Sequence, residues 1–87
     1  MIKLNEEIEL TGILTSIRII SNNLIFASLK TDDGEIQIYF NNSLSNDELK
    51  KVHLLELNKD IKVFGVVKQK LINRYEFEIE VKSFDYY

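Results

Sequence analysis

The chain has 87 residues, of which 45% are hydrophobic, so we expect one small domain over residues 1–87 that folds without disulfides. It contains no cysteine and a single histidine, His53, which excludes a thiolate metal site and makes a metal or other cofactor unexpected. The formal net charge of −3 argues against strong nonspecific binding to a polyanion, because that affinity comes mainly from lysine and arginine.

The first half of the chain has the alternation of apolar and polar residues that predicts β-strands. A long first strand is predicted over about 8–20, with Gly12 inside it where a barrel strand bends. A second strand is predicted over 24–30 and a third over 35–40. Asp-Asp-Gly at 32–34 lies between them, and glycine tolerates a positive φ at a tight corner. We therefore expect the second and third strands to pair as a hairpin.

Residues 41–58 interrupt the alternation and predict a short helix. Ser-Asn-Asp-Glu at 45–48 resembles a helix N-terminus, because serine caps the first free backbone amides. Leu49 and Val52 follow at helical spacing. We expect this helix to cover one end of a barrel.

Two further strands are predicted over 60–70 and 75–84, joined by a turn near 71–74. The order is then three strands, a helix and two strands. In a chain of this length, that order predicts an all-β fold, the five-stranded Greek-key barrel with one short helix between strands three and four that is known as the OB-fold. A ferredoxin-like fold would need two full helices, and the sequence supports one.

The outer face of the second and third strands is where an OB-fold binds oligonucleotides. Alternation directs Phe26 and Ser28 outward, beside Gln37 and Tyr39. Aromatic rings stack on unpaired bases, and a glutamine amide offers a donor and an acceptor to a base edge. Arg18, near the end of the first strand, is expected close to this face, where it could contact a phosphate or stack on a base. The inward residues predicted to fill the core are Ile25, Ala27, Leu29, Ile36, Ile38 and Phe40.

Each outward residue also has a purely structural interpretation. Phe26 and Tyr39 could cover a hydrophobic rim or a partner protein, and Arg18 could be an ordinary surface arginine. A basic set in the fourth strand and its turn could flank nucleic acid, but lysines that protect an edge strand from unwanted pairing are slightly favoured. This set comprises Lys62, Lys68, Lys70 and Arg74.

Three glutamates, Glu76, Glu78 and Glu80, share one face of the last predicted strand. A carboxylate at this position would repel a phosphate, but it could accept a hydrogen bond from a base donor group. Two of the three are expected to be solvated without a further role.

Several segments taken together resemble a known family, the anticodon-binding OB domain of class IIb (lysyl, aspartyl and asparaginyl) aminoacyl-tRNA synthetases, with the lysyl type nearest. The resemblance rests on Arg18, LIFASLKTDDGEIQIYF at 24–40, LNKDI at 57–61 and YEFEIEV at 75–81. It implies that Arg18, Phe26 and Gln37 contact and stack on central anticodon bases. It also implies that Glu76 lies where lysyl enzymes read a uridine. Glycine is usual before Asp60 and before Glu76 in that family, and this chain lacks both glycines.

The leading hypothesis is a reader of single-stranded RNA of the tRNA anticodon-loop type, with a parent synthetase chain as a further partner. Single-stranded DNA is an alternative ligand, because GILTSIRII at 12–20 also resembles the OB domain of bacterial replicative DNA polymerase alpha subunits. A protein-interaction module is the alternative from another class. Catalysis is not expected, since no Ser/His/Asp or Cys/His set is present. We find no signal peptide and no membrane-length apolar run, so a cytoplasmic location is expected.

Overall fold

The computed structural model describes residues 4–42, 44–69 and 77–86, and of Tyr86 only the backbone. The elements are β1 (Glu7–Ser21), β2 (Leu24–Thr31), β3 (Gly34–Phe40), α1 (Asn46–Val52), β4 (Asp60–Gln69) and β5 (Phe77–Tyr86). The predicted order of three strands, a helix and two strands is confirmed. The turn predicted near 71–74 and the predicted start of the last strand at 75 lie outside the described residues.

The five strands close into a barrel in the order β1-β2-β3-β5-β4. β1 pairs with two strands: residues 7–13 pair with β4, and residues 13–21 pair with β2. β3 and β5 are parallel, and the other pairs are antiparallel. A closed five-stranded barrel with one short helix between β3 and β4 is the OB-fold, as predicted.

The interpretation of the fourth strand as an edge strand is wrong. β4 pairs with β1 over residues 60–66 and with β5 over residues 61–69. The end of β4 is also bonded on its β1 side, since the Val67 amide donates to the Glu6 carbonyl at 3.0 Å. Barrel closure satisfies both sides of this strand, so its lysines have no edge to protect.

Gly12 lies where β1 leaves β4 and joins β2. A Cβ atom at this position would clash with the carbonyl oxygen of Lys30 on β2. The close approach of the two backbones therefore requires glycine, in agreement with the predicted bend.

The β2–β3 hairpin forms as predicted, with Thr31 paired to Gly34 across the turn. Gly34 has a φ of 120°, a conformation that residues with a side chain rarely adopt. The Thr31 hydroxyl donates to the Gly34 carbonyl at 2.9 Å and accepts from the Asp33 amide at 3.2 Å. Backbone conformation and side-chain bonds thus fix the register of β2 against β3.

The predicted inward residues of β2 and β3 are in the core. Ile25, Leu29 and Ile38 are fully buried, Ala27 and Phe40 are buried with them, and Ile36 packs against this core while partly exposed. The remaining buried hydrophobic side chains are Leu14, Leu44, Leu49, Val52, Ile61, Val63, Val67, Ile79 and Val81.

α1 begins where the sequence predicted it. Ser45 is its N-cap, with the Ser45 hydroxyl accepting from the Glu48 amide at 3.2 Å. Leu49 and Val52 are buried in the same core cluster as the barrel strands, so the helix covers an end of the barrel. Among the described residues, no helix has the length and apolar character needed to cross a membrane.

Candidate nucleic-acid interface

Two rows of outward side chains cross the barrel surface, because the strand registers set each one beside a neighbour on the adjoining strand. One row runs through Ser16, Ser28, Gln37, Glu78 and Lys68. The other runs through Arg18, Phe26, Tyr39, Glu80 and Val66. We call the five predicted site residues on β1, β2 and β3 the platform, namely Arg18, Phe26, Ser28, Gln37 and Tyr39.

Phe26 is at the centre of the platform. Its ring centroid is 5.9 Å from that of Tyr39, and the two rings are tilted by 48°. The guanidinium carbon of Arg18 lies 5.6 Å from the Phe26 centroid, close enough for a cation–π contact worth roughly 0.5–1 kcal/mol at an exposed site. Phe26 is half-buried while Arg18 is exposed, so this pair presents a ring and a positive charge together.

Two open hollows adjoin Phe26, and both also border Gln37 or its partner Glu78. The first hollow, of about 300 Å³, is lined by Ser16, Arg18, Phe26, Ala27, Ser28 and Gln37. The second hollow, of about 370 Å³, is lined by Leu24, Phe26, Tyr39, Lys68, Gln69 and Glu78. These volumes are at the lower end of the range for small-ligand sites, about 300–1,000 Å³. Each hollow has room for a planar group against the Phe26 side chain.

Gln37 is held by a charged partner. Its Nε2 atom donates to Oε2 of Glu78 on the parallel strand β5 at 2.6 Å. A carboxylate can only accept, so the nitrogen end of the amide must face Glu78 and the oxygen end must face elsewhere. Both side chains are half-buried.

Tyr39 and Glu80 form a second linked pair. The Tyr39 hydroxyl donates to Glu80 Oε2 at 3.3 Å, Asn41 Nδ2 donates to the same oxygen at 3.1 Å, and Lys82 forms an ion pair with the other oxygen. The hydrogen bond from Lys82 lowers the pKa of Glu80 below its usual range, against the opposing effect of burial. Burial and the two nearby glutamates raise the pKa of Tyr39 far above its ordinary value, so its hydroxyl remains a donor at neutral pH.

The platform therefore combines an accessible ring, a cation and a fixed amide on the outer face of a closed barrel. Comparison with known proteins shows the family of this barrel. A family model for the tRNA anticodon type, described as an OB-fold nucleic acid binding domain, matches residues 8–85. The chain belongs to this family.

Among solved structures, this anticodon-type OB domain is similar to part of asparaginyl-tRNA synthetase from Pyrococcus horikoshii, which was solved in complex with asparaginyl-adenylate. The TM-score is 0.83 at 18% sequence identity, a level at which the likeness supports the fold alone. The match covers 95% of this chain and 19% of the synthetase chain, so the present sequence corresponds to a small part of that protein. No curated protein matches the chain.

The expectation that two of the three glutamates near the end of this OB domain have no further role is wrong. Glu78 and Glu80 are not merely solvated, because they bond Gln37 and Tyr39 and so orient two of the five platform residues. The signal that could have revealed them is the OB-fold order itself, which sets the last strand beside β3. Glu76, predicted from the resemblance to read a uridine, lies outside the described residues.

The two described members of the predicted basic set, Lys62 and Lys68, do not form one patch. Lys62 pairs with Glu9 at 3.2 Å, whereas Lys68 donates to Asn5 Oδ1 at 3.1 Å and lines the second hollow. Six positions along an extended strand separate the two lysines by about 20 Å. The other two members, Lys70 and Arg74, lie outside the described residues. Among the described residues, no group of three or more His, Asp or Glu could hold a metal ion.

Proposed function

We propose that the chain binds single-stranded RNA of the tRNA anticodon-loop type, with bases stacked on Phe26 and hydrogen-bonded by Gln37. The observation that supports this most directly is the position of Phe26, which adjoins two open hollows and has the Arg18 guanidinium over its ring. Membership of an anticodon-type family of nucleic acid binding domains supports the class of ligand.

Stacking must supply most of the binding free energy. A base on an aromatic side chain is worth roughly 1–3 kcal/mol, and the formal net charge of −3 gives no general attraction to phosphate. Arg18 at the first hollow and Lys68 at the second are cations on the two sides of Phe26. Lys68 shares its hollow with Glu78, so Arg18 is the cation expected to contact phosphate, and one such contact predicts a shallow dependence of affinity on salt.

The charges also suggest how the RNA lies. Glu78 and Glu80 repel phosphate on the β5 side of the platform, whereas the first hollow borders Arg18 and hydroxyl groups. The sugar-phosphate backbone is therefore expected along β1 and β2, with the bases directed toward Gln37.

In this proposal residues 1–87 act as one binding domain without catalytic activity of their own. The chain spans about a fifth of the matched synthetase, and a catalytic unit of class II would have to be supplied by another domain or chain. A parent synthetase is thus the partner that fits the proposal best.

The test is a titration of isotope-labelled protein with a uridine-rich RNA and the matching DNA at low and moderate salt, following the amides of Phe26, Gln37 and Glu78. The decisive variant is Phe26→Ala, which should weaken RNA binding about tenfold or more because the stacking surface is lost. Phe64→Ala is the matched control, since Phe64 is also a half-buried outward phenylalanine but lies on β4 away from the platform. It should change the affinity by less than about twofold.

Each outcome has a distinct meaning. Shifts at the platform with a preference for RNA support anticodon-type reading, and equal responses to RNA and DNA support a general single-strand binder. A folded Phe26→Ala variant with unchanged affinity would refute the role of the platform. If neither nucleic acid shifts these amides, the protein-interaction module becomes the better hypothesis, and the Phe26 and Tyr39 surface becomes its candidate interface.

A further inference from the structure

Two serines, Ser16 and Ser28, are paired across β1 and β2, and both line the first hollow. We propose that their hydroxyl groups bind the 2′-hydroxyl of a ribose and make the platform prefer RNA to DNA. The 2′-hydroxyl is the group by which a protein distinguishes the two nucleic acids at a given site. This inference rests on the proposed function and adds the residues that select the sugar.

A β-bulge at Thr15 directs Ser16 to the outer face of the barrel. Leu14 pairs with Leu29 and Ser16 pairs with Ser28, so β1 has one residue more than β2 between these two pairs. Without the extra residue, strand alternation would put position 16 on the same face as the buried Leu14. The Thr15 hydroxyl donates to the Ser28 carbonyl at 3.4 Å, which ties the bulge to β2. The bulge therefore sets the two serine side chains side by side at the hollow.

The barrel does not use these two hydroxyl groups for its own structure. Within the described part of the chain, the side chains of Ser16 and Ser28 form no hydrogen bond. Other serines differ: the Ser21 hydroxyl accepts from the Asn23 amide, and the Ser45 hydroxyl caps α1. Ser16 is exposed and Ser28 is half-buried, so a ligand in the hollow can reach both.

The position of Arg18 indicates where the sugar of a bound nucleotide lies. Ser16 and Arg18 are two positions apart on β1, about 7 Å along an extended strand, and both line the first hollow. With a phosphate at Arg18 and a base stacked on Phe26, the ribose that joins them reaches the row of Ser16 and Ser28. Among the described lining residues of this hollow there is no carboxylate to repel the sugar-phosphate backbone.

A serine hydroxyl and the 2′-hydroxyl complement each other, because each can donate and accept a hydrogen bond. Two serines therefore allow one bond in each direction, with one serine accepting the 2′-hydroxyl proton and the other donating to the 2′ oxygen. In DNA a hydrogen atom replaces the hydroxyl, and both bonds are lost. The resulting preference for RNA does not depend on which base is bound.

The test compares oligomers of uridine, 2′-deoxyuridine and 2′-fluoro-2′-deoxyuridine, which carry the same base, in binding titrations at one salt concentration. The fluoro oligomer keeps the sugar conformation of RNA but has no 2′-hydroxyl. We expect the unaltered chain to bind the uridine oligomer about tenfold more tightly than either of the others. Ser16→Ala combined with Ser28→Ala should reduce this preference to less than about threefold, because only the uridine oligomer loses hydrogen bonds.

The matched control is Thr11→Ala combined with Ser83→Ala, which also removes one exposed and one half-buried hydroxyl from barrel strands. Both positions lie outside the first hollow, so the control should keep the tenfold preference. If the double serine variant does not fold, the single variants Ser16→Ala and Ser28→Ala replace it. Each should lower the preference for the uridine oligomer about threefold.

The outcomes separate this inference from the proposed function. If the serine variants retain the full preference, or if the fluoro oligomer binds as tightly as the uridine oligomer, the inference is wrong and the proposed function stands. If all three oligomers bind equally at the platform, the inference is also wrong, and the platform is a general single-strand site. If no oligomer binds, the inference and the proposed function fail together.

Discussion

Among the described residues, Phe26 and Phe64 are outward phenylalanines in similar settings, and in the proposed function only Phe26 binds the RNA. Phe26 adjoins the first hollow, of about 300 Å³, and Phe64 lines a third hollow, of about 400 Å³, formed by β1, β4 and β5. The first hollow is bordered by Arg18, serines and Gln37. The third is bordered by Glu7 and Glu9 together with Lys82.

In the proposed function, a half-buried ring in a hollow is not sufficient for a nucleic-acid site. β1 contributes to both hollows, because its first half pairs with β4 and its second half with β2. Glu9 of the first half is paired with Lys62, so in the proposed function Glu7 is the charge that repels phosphate from Phe64, whereas Arg18 in the second half attracts phosphate to Phe26. The charges that one strand sets beside each ring therefore distinguish the two surfaces.

Reversing the charge at Arg18 should have the largest effect on RNA affinity, because it removes the difference in charge between the two hollows. Arg18→Glu gives the Phe26 hollow a carboxylate like those of the Phe64 hollow, and RNA affinity is expected to fall about thirtyfold in titrations at low salt. Arg18→Lys keeps the charge but loses the planar group over the ring, so a loss of about threefold is expected. Equal losses in both variants would mean that stacking by the guanidinium matters more than its charge.

Replacing the glutamates of the Phe64 hollow by lysines should change RNA affinity less, and should raise it. Glu7→Lys combined with Glu9→Lys raises the formal net charge from −3 to +1, because each substitution adds two charges. RNA affinity should rise about threefold to fivefold, with new amide shifts around Phe64 and a steeper dependence on salt. Glu35→Lys with Glu56→Lys gives the same net charge at exposed positions outside the third hollow. If this control gains the same shifts at Phe64, net charge rather than local charge explains the contrast.

The outward direction of the platform residues on β2 and β3 was predictable from the sequence, because it depends only on strand alternation. Phe26, Ser28, Gln37 and Tyr39 face outward because their neighbours fill the core, and the hairpin at Gly34 sets β2 against β3 in register. Local pattern and turn chemistry are sufficient for such a result, since a shift by one residue would expose the whole core face.

The contacts of Glu78 and Glu80 with the platform were not predictable from strand alternation. Glu78 is 41 positions from Gln37, and the two meet only because β3 and β5 pair in parallel across the barrel. The third hollow around Phe64 depends likewise on the pairing of β4 with β1 and β5. Alternation indicates which face a residue occupies, but the neighbours on that face come from the three-dimensional strand order.

Glu80 lies between the platform and the third hollow. Its replacement gives the smallest expected effect, a change in stability. It accepts from Tyr39 of the platform and pairs with Lys82, which lines the third hollow. Its lowered pKa, caused first by Lys82, means that the folded state favours the carboxylate. The resulting stability is present above the ordinary pKa of 4.5 and is lost as pH falls through the folded-state value.

Glu80→Gln removes this stabilisation and should lower the free energy of unfolding at pH 7 by about 1 kcal/mol, as for the loss of a charge-assisted hydrogen bond. The difference from the unaltered chain should shrink as the pH falls below 4.5, because the glutamate is protonated first in the unfolded state and then, below its lowered pKa, in the folded state. Urea denaturation across this pH range measures it, with Glu56→Gln at an exposed loop position as the control. If the difference in the free energy of unfolding stays constant with pH, the shape of the Glu80 side chain, and not its charge, stabilises the contacts with Tyr39 and Lys82.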